Sequence, residues 1–211
     1  MTTAGLVLAA GSSRRMGSPK QLLPIDGKPL LQLVVEQANQ SKLDHVVVVL
    51  GAAADEIRGK VDLGRASVLV NADHASGMAS SLRAGLASLA AGVDRVVVIL
   101  GDQPDVDAAR LNHLLELQET SGLPAAALSF NGLLHPPVVL ERELWGDLMT
   151  LEGDVGCRAV IRAKPELVAK LPIAGDLKHP VDVDTPEDYE RLRRPANSRP
   201  ARPSHEDTLG R

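Results

Sequence analysis

A glycine-rich loop with positive charge directly follows the first apolar run of the chain, within residues 8–32. Arg14, Arg15 and Lys20 supply the charge, and Ser12 adds a hydroxyl donor. A loop that leaves a buried strand and opens a helix presents clustered backbone N–H groups, and glycine lets that backbone approach a ligand closely. The combination favours binding of a polyphosphate, with a solvated surface turn of incidental charge as the alternative.

Two common phosphate-binding loops do not fit this stretch. The G-x-x-x-x-G-K-[ST] pattern needs a lysine after its second glycine, whereas Gly17 is followed by Ser18 and Pro19. Gly11 and Gly17 also miss the G-x-G-x-x-G spacing of dinucleotide-binding folds. The loop is therefore not typical of a P-loop ATPase or of a dehydrogenase.

The sequence GDQP at residues 101–104 directly follows the apolar run VVVIL. A carboxylate at the carboxyl end of a buried strand lies at the edge where α/β proteins bind ligands. Mg²⁺ prefers oxygen ligands and usually takes one or two carboxylates together with substrate phosphates. Asp102 is therefore the first candidate metal ligand, and a turn aspartate that bonds to local backbone amides is the alternative.

A second acidic stretch, VDVDTPED, occupies residues 181–188. Asp182 and Asp184 alternate with apolar residues, so on a strand both side chains would point to the same face. Either of them could complete a metal site with Asp102. An aspartate that caps a following helix is the alternative of equal weight.

The elements around these motifs predict a doubly wound, Rossmann-like α/β fold with a mostly parallel sheet. Four apolar runs are continuous rather than alternating, which is typical of strands buried on both faces of a parallel sheet. These runs are 5–9, 46–50, 68–70 and 96–100. Between and after them, apolar residues at helical spacing predict helices around 30–38, 82–89 and 111–115, the last with Asp107 as its N-cap. Repeated strand–helix–strand units imply right-handed crossovers and one sheet.

The regular alternation of predicted strands and helices ends after residue 129. We expect an edge strand entered through prolines, two short helices, a further strand, and a last helix capped by Thr185 with Pro186 in its first turn. These elements are assigned to 135–140, 142–151, 154–163, 167–173 and 186 onward. The proline-rich stretch 195–211 is predicted to be disordered, which leaves a single domain over residues 1–194.

Composition narrows the functional classes. The formal net charge of −4 and the presence of only three aromatic residues argue against binding of nucleic acid by a basic surface or an aromatic platform. No apolar run approaches the roughly 18 residues of a membrane span, so we expect a cytoplasmic protein without a membrane partner. Cys157 is the only cysteine, which excludes an internal disulfide and cysteine-based metal clusters, and we expect it to be buried.

Taken together, LAAGSSRRMG at 8–17, Pro19-Lys20, GDQP and DVDTPED resemble the nucleotidyltransferases that act on molybdenum cofactor, and most closely their cytidylyltransferase branch. The likeness runs from about Gly5 to Leu192. It implies a fold of the nucleotide-diphospho-sugar transferase type and the transfer of CMP from CTP to molybdopterin or molybdenum cofactor, with release of pyrophosphate. It also implies Mg²⁺ as the cofactor and a molybdoenzyme as a possible acceptor of the product. Ala10, where related guanylyltransferases have a second glycine, favours the cytidylyl branch.

The resemblance assigns roles to individual residues. It implies catalytic roles for Arg15, Lys20 and Asp102, and a metal site on Asp102 with Asp184 or Asp182. It implies nucleotide contacts by Leu8, Ala9, Ala10, Gly11, Ser12, Lys20, Asn71, Asp73, Ser80 and Ser81. It implies second-substrate contacts by His135, Asp154 and Arg158.

The implied reaction needs no general base, because a phosphate monoester has a second pKa near 6 and is already largely dianionic at neutral pH. We therefore expect a binding or structural role for His135. Three alternatives stay open: a guanylyltransferase on the same cofactor, a nucleotidyltransferase on a sugar phosphate, and a non-catalytic chaperone that hands finished cofactor to a molybdoenzyme.

Overall fold

The computed structural model describes residues 1–11, 18–173, 182–183 and 185–193. Several residues singled out from the sequence lie outside these ranges. They are Ser12, Arg14, Arg15, Asp184 and the predicted tail 195–211.

The core of the described chain is a seven-stranded sheet with the strand order β5-β4-β1-β6-β8-β7-β9. In chain order the strands are β1 (Thr3–Ala9), the small hairpin of β2 (Pro24–Ile25) and β3 (Lys28–Pro29), β4 (His45–Leu50), β5 (Ser67–Val70), β6 (Arg95–Leu100), β7 (Ala125–Phe130), β8 (Leu133–Glu141) and β9 (Val168–Pro172). All neighbours in this sheet pair in parallel except β8, which runs antiparallel to both β6 and β7. The mostly parallel α/β fold predicted from the sequence is therefore confirmed.

Helices cover both faces of the sheet. They are α1 (Leu30–Gln40), α2 (Ala54–Lys60), α3 (Met78–Ser88), α4 (Ala108–Ser121), α5 (Trp145–Met149), α6 (Arg158–Ala163) and α7 (Pro186–Arg193), with short 3₁₀ turns at Lys20–Leu22, His74–Ser76, Arg142–Leu144 and Pro165–Leu167. Along β1, Val7 packs into the apolar cluster that holds α1 and α4, whereas Leu6 packs into the opposite cluster with α3. This double burial explains why the strands are continuously apolar. In the described ranges, every helix falls short of the length and apolarity that crossing a membrane requires.

Two predicted helix starts are confirmed by hydrogen bonds. The Asp107 side chain accepts a hydrogen bond from the Arg110 amide at 2.7 Å and so caps α4. At α7, the Thr185 hydroxyl accepts from the Asp188 amide at 3.2 Å, and the Asp188 carboxylate accepts from the Thr185 amide at 3.1 Å. This reciprocal pair satisfies N–H groups that a helix leaves unpaired at its start.

The predicted edge strand at 135–140 is wrong in its position, because β8 lies inside the sheet. Prolines argue for an edge because they cannot donate to a ladder. Here Pro136 and Pro137 fall at an irregularity: β8 pairs with β6 only from Val138 onward, and its register with β7 shifts between Ala127 and Leu128. Neither proline therefore has to donate a ladder hydrogen bond.

A tight hairpin turn joins β7 and β8. Asn131 and Gly132 form it with φ of 49° and 77°, a conformation that suits asparagine and glycine. β6 and β7 both run antiparallel to β8, so they point in the same direction and the turn after β7 lies at the carboxyl edge of the sheet. The segments that follow β1 and β6, which contain Lys20 and the GDQP motif, leave the sheet at the same edge.

Candidate active site

Lys20 and Asp102 meet at the carboxyl edge of the sheet. The Lys20 ammonium lies 2.5 Å from Oδ2 of Asp102, and each side chain is only 16% exposed. Their proximity follows from the topology, because β1 and β6 are adjacent parallel strands and the segments after them leave at the same edge. Lys20 and Asp102, which are 82 residues apart in the sequence, thus form one charged centre.

Gly101 allows Asp102 to reach this position. Its amide donates to the Leu8 carbonyl at 2.9 Å, which prolongs the pairing of β6 with β1. A Cβ at residue 101 would lie 2.8 Å from the Ala9 Cβ and 3.0 Å from the Leu8 carbonyl oxygen, closer than side chains normally approach. The glycine of GDQP is therefore required by the close passage of two strand ends.

Gln21 anchors the turn that carries Lys20, a role that the sequence reasoning missed. Its side-chain amide donates to the carbonyls of Ala9 at 2.8 Å and Gly11 at 3.1 Å, and the residue is 3% exposed. Two carbonyls of this segment, those of Ala9 and Gly11, are thus used within the protein. The only sequence signal was an amide side chain directly after the lysine.

Asp182 lies beside the GDQP motif. Its Oδ1 accepts a hydrogen bond from the Gln103 side-chain amide at 2.6 Å, and the Val183 amide donates to the Asp102 carbonyl at 3.2 Å. Gln103 is 2% exposed and Asp182 is half-buried, so this hydrogen bond is partly shielded from solvent. The structure thus brings Asp182 next to Asp102, as the sequence suggested.

The donor set of this centre fits a hard divalent cation. Asp102 already holds a cationic group, the Lys20 ammonium, and Asp182 supplies a second carboxylate nearby. Within the described ranges, no cluster of three or more histidine, cysteine or acidic side chains is placed to hold a metal. Phosphate oxygens of a substrate would complete the shell, which is how proteins commonly bind Mg²⁺.

A polar cluster fixes the loop after β5. The buried Asn71 side chain donates to the hydroxyls of Ser80 at 2.8 Å and Ser81 at 3.0 Å, and it accepts from the Asp73 amide at 3.0 Å. The four predicted nucleotide-binding residues of this region therefore lie together at the carboxyl edge. Their mutual hydrogen bonds hold the loop and the start of α3 in one shape.

A cavity of about 60 Å³ opens where β1 and β4 end. Among the residues that the structure describes, the lining carries no charged side chain and consists of Ala9, Ala10, Gly11, Pro19, Gln21, Gly51, Ala52, Ala53 and Ile57. His74 packs against Gly51 at this place. In the described residues, the edge therefore has an uncharged side where β1 and β4 end and a charged side where β1 and β6 end.

Gly51→Ala is expected to distort the uncharged side. An added Cβ would lie 2.5 Å from the Ala10 carbonyl oxygen and 2.9 Å from the His74 ring, so the loop after β1 must shift. We expect nucleotide affinity to fall about tenfold, the size of a lost interaction of roughly 1.4 kcal/mol, measured by calorimetric titration. Gly59→Ala in α2 is the matched control, since nothing lies within 4 Å of its added Cβ. Equal nucleotide affinity of Gly51→Ala and Gly59→Ala would contradict the prediction that the nucleotide contacts Ala10 and Gly11 beside this cavity.

The predicted second-substrate residues lie on neighbouring elements at the same edge. His135 is half-buried on β8 opposite Leu128, and Arg158 begins α6. Asp154 lies in an exposed loop, where its Oδ1 is 3.4 Å from the Met78 amide at the start of α3. The contact of these three residues with a substrate stays a prediction.

The loop after α5 is seated on α3 through its backbone. The Ala79 amide donates to the Gly153 carbonyl at 3.1 Å, and the Arg83 guanidinium donates to the Leu151 carbonyl. Gly77 has φ of +108°, and a Cβ there would lie 2.3 Å from the Gly153 carbonyl carbon. Only glycine at residue 77 permits this contact.

Cys157 is expected to be chemically silent in the folded protein. It is 3% exposed, and burial raises the pKa of its thiol to about 12. Because the thiolate is the reactive form, a disulfide reagent at about pH 8 should leave the native protein unlabelled and label the chain rapidly in denaturant. Fast labelling of the native protein would show that this segment opens. The expectation of a buried cysteine is confirmed by the structure.

Comparisons with known proteins show the family to which the chain belongs. Residues 5–169 match the model of the MobA-like NTP transferase domain. The purine catabolism protein PucB of Bacillus subtilis is 32% identical over 198 residues, covering 90% of this chain and 95% of PucB. Nicotine blue oxidoreductase of Paenarthrobacter nicotinovorans is 34% identical over 197 residues, covering 89% of this chain and 95% of that protein.

A solved structure shows the same fold at similar identity. The crystal structure of Rv0371c from Mycobacterium tuberculosis H37Rv superposes with a TM-score of 0.82 at 33% identity, covering 92% of this chain and 98% of that one. The same protein has also been solved in complex with manganese, with a TM-score of 0.78 at 31% identity and coverage of 91% and 98%. Because the family model matches residues 5–169, which is most of the chain, this chain belongs to the MobA-like NTP transferase domain family.

Proposed function

We propose that the protein is a magnesium-dependent nucleotidyltransferase that transfers CMP from CTP to molybdopterin or molybdenum cofactor and releases pyrophosphate. The observation that carries the proposal is the Lys20–Asp102 pair at the carboxyl edge. Membership of an NTP transferase family supports the reaction class. The motif resemblance and Ala10 support the acceptor and the cytidylyl group.

In this reaction the terminal phosphate oxygen of molybdopterin attacks the α-phosphorus of CTP. A new P–O bond forms, the bond from the α-phosphorus to the β-phosphate oxygen breaks, and pyrophosphate carries away the electron pair. Such transfers depend on positioning and charge neutralisation more than on covalent help from the protein. The acceptor is already largely dianionic at neutral pH, so no side chain has to remove a proton.

We assign charge neutralisation of the phosphates and metal binding to different residues of the charged centre. Lys20, whose ammonium lies beside Asp102, is proposed to offset charge on the triphosphate, and Arg15, which lies outside the described residues, is proposed to assist it. Asp102 and Asp182 would hold the metal together with phosphate oxygens, and Asp184 is the alternative to Asp182. A bound magnesium ion would supply neutralising charge to the phosphates. The uncharged cavity beside Ala10 suits the base, because a base carries no charge to pair.

The test is to incubate purified protein with Mg²⁺, each nucleoside triphosphate in turn and isolated molybdopterin. Pyrophosphate release and the product mass are measured, with Mn²⁺ as a second metal. We expect release chiefly with CTP and a product heavier than molybdopterin by one CMP unit. Release chiefly with GTP would instead assign a guanylyltransferase. In a parallel incubation with a sugar phosphate in place of molybdopterin, release only there would assign a different acceptor. Binding without release would indicate a cofactor-handling chaperone.

One relative carries the name of an oxidoreductase, so a redox assay belongs in the same experiment. The Lys20–Asp102 ion pair at the carboxyl edge suits the charge neutralisation that phosphoryl transfer needs. We therefore expect no consumption of reduced nicotinamide cofactor under the conditions that give pyrophosphate. Cofactor oxidation without pyrophosphate release would reverse the assignment.

A further inference from the structure

The Lys20–Asp102 pair places two roles of the site in competition. The ammonium lies 2.5 Å from the carboxylate oxygen that a divalent metal would also use. Two cations on one carboxylate repel each other, and the repulsion is weakly screened where both side chains are 16% exposed. The ion pair of Lys20 with Asp102 and the binding of a metal to the same carboxylate should therefore weaken each other.

We propose that Lys20 exchanges partners during substrate binding. In the free protein it neutralises Asp102, and on binding of the triphosphate it moves to the phosphates and releases the carboxylate to the metal. This inference rests on the proposed function, since it takes a triphosphate and a divalent cation as the ligands. It makes Lys20 the element through which the two ligands favour each other.

The surroundings of the pair are suited to such an exchange. Gln21 fixes the backbone of the turn through the carbonyls of Ala9 and Gly11, so the lysine side chain can move without the turn. The four-carbon stem of lysine allows this motion at little cost. Asp182 is engaged by the Gln103 amide instead of a cation, so it needs no exchange.

The exchange predicts effects of opposite sign for one substitution. Removing the ammonium frees Asp102, so a metal alone should bind more tightly. The same removal takes a cation from the triphosphate, so nucleotide without metal should bind more weakly. A lysine that only braced the fold would weaken both ligands or neither.

The experiment measures Mn²⁺ binding without nucleotide, from the electron paramagnetic resonance signal of the free ion. We expect Lys20→Met and Lys20→Gln to bind Mn²⁺ about tenfold more tightly than the unchanged protein, within the usual range of site coupling. The gain should vanish when Asp102→Asn is added. Lys28→Met is the control. Lys28 lies on the β2–β3 hairpin, where its ammonium is 2.8 Å from the carboxylate of Glu36 on α1, so this substitution should leave Mn²⁺ affinity unchanged.

A second titration uses a non-hydrolysable CTP analogue in the presence of a chelator. There we expect Lys20→Met to bind about tenfold more weakly, again on the scale of one coupled contact. Thermal unfolding confirms that each variant is folded.

The proposal is overturned if both folded Lys20 variants bind Mn²⁺ no more tightly than the unchanged protein, or if the gain persists without Asp102. Failure of the proposed function appears elsewhere, as absence of pyrophosphate release by the unchanged protein. The two results are therefore distinguishable.

Discussion

Asp102→Asn is expected to lower the rate of pyrophosphate release by about 10² or more, the scale of a lost electrostatic contact in a transition state. Asparagine keeps the shape of the side chain but removes the charge that pairs with Lys20 and would hold the metal. The measurement is kcat for CTP with saturating molybdopterin and Mg²⁺. The rate should fall more than the apparent affinity for CTP, because the charge is needed most as pyrophosphate leaves.

The control for this substitution is Asp55→Asn, which removes one exposed carboxylate from the first turn of α2. It changes the net charge by the same amount at an exposed position on α2. Near-normal turnover of Asp102→Asn would refute the metal assignment. An equal loss in both variants would point to net charge instead of the site.

Gly77→Ala is expected to unseat the loop that carries Asp154. The added Cβ would lie 2.3 Å from the carbonyl carbon of Gly153 and 2.7 Å from the Asp154 amide, and φ at this position is +108°. Backbone atoms cannot rotate away as a flexible side chain would, so the loop and α3 must separate. We expect the unfolding free energy to fall by about 2 kcal/mol, typical of backbone strain with lost contacts. We expect KM for molybdopterin to rise about tenfold, the equivalent of roughly 1.4 kcal/mol.

The matched control is Gly146→Ala in α5, because nothing lies within 4 Å of its added Cβ. Denaturant unfolding and steady-state kinetics follow both variants. A rise of KM for CTP as large as that for molybdopterin would show that the loop serves the nucleotide instead of the acceptor. Unchanged stability would show that the contact between residues 77 and 153 is not maintained in solution.

The sequence predicted the meeting of Lys20 and Asp102 because continuous apolar runs indicate parallel strands, whose carboxyl ends share one edge. It did not predict that β8 lies inside the sheet, since proline chemistry alone favours an edge and the bulge at Pro136 depends on the register of a neighbour. The sequence also did not predict the structural role of the Gln21 side-chain amide. Nothing in the spacing distinguishes Gln21, which bonds to two carbonyls, from a surface glutamine.

The loop after β5 shows a different limit of sequence reasoning. Asn71, Ser80 and Ser81 have the residue types of ligand-binding groups, and the structure places them at the correct edge. Their hydrogen bonds, however, run among themselves and to the backbone. Polar residues that bind a ligand and those that shape a loop share the same chemistry, and only three-dimensional pairing separates them.

The antiparallel course of β8 has a consequence for how the molecule can change over evolution. Because β8 returns next to β6, the short turn at Asn131 and Gly132 reaches the reaction edge without an intervening helix. Insertions there would alter the side of this edge proposed to face the acceptor, while the four parallel strands β5, β4, β1 and β6 stay untouched. Members of one lineage can thus keep a common donor and diverge in the molecule they modify.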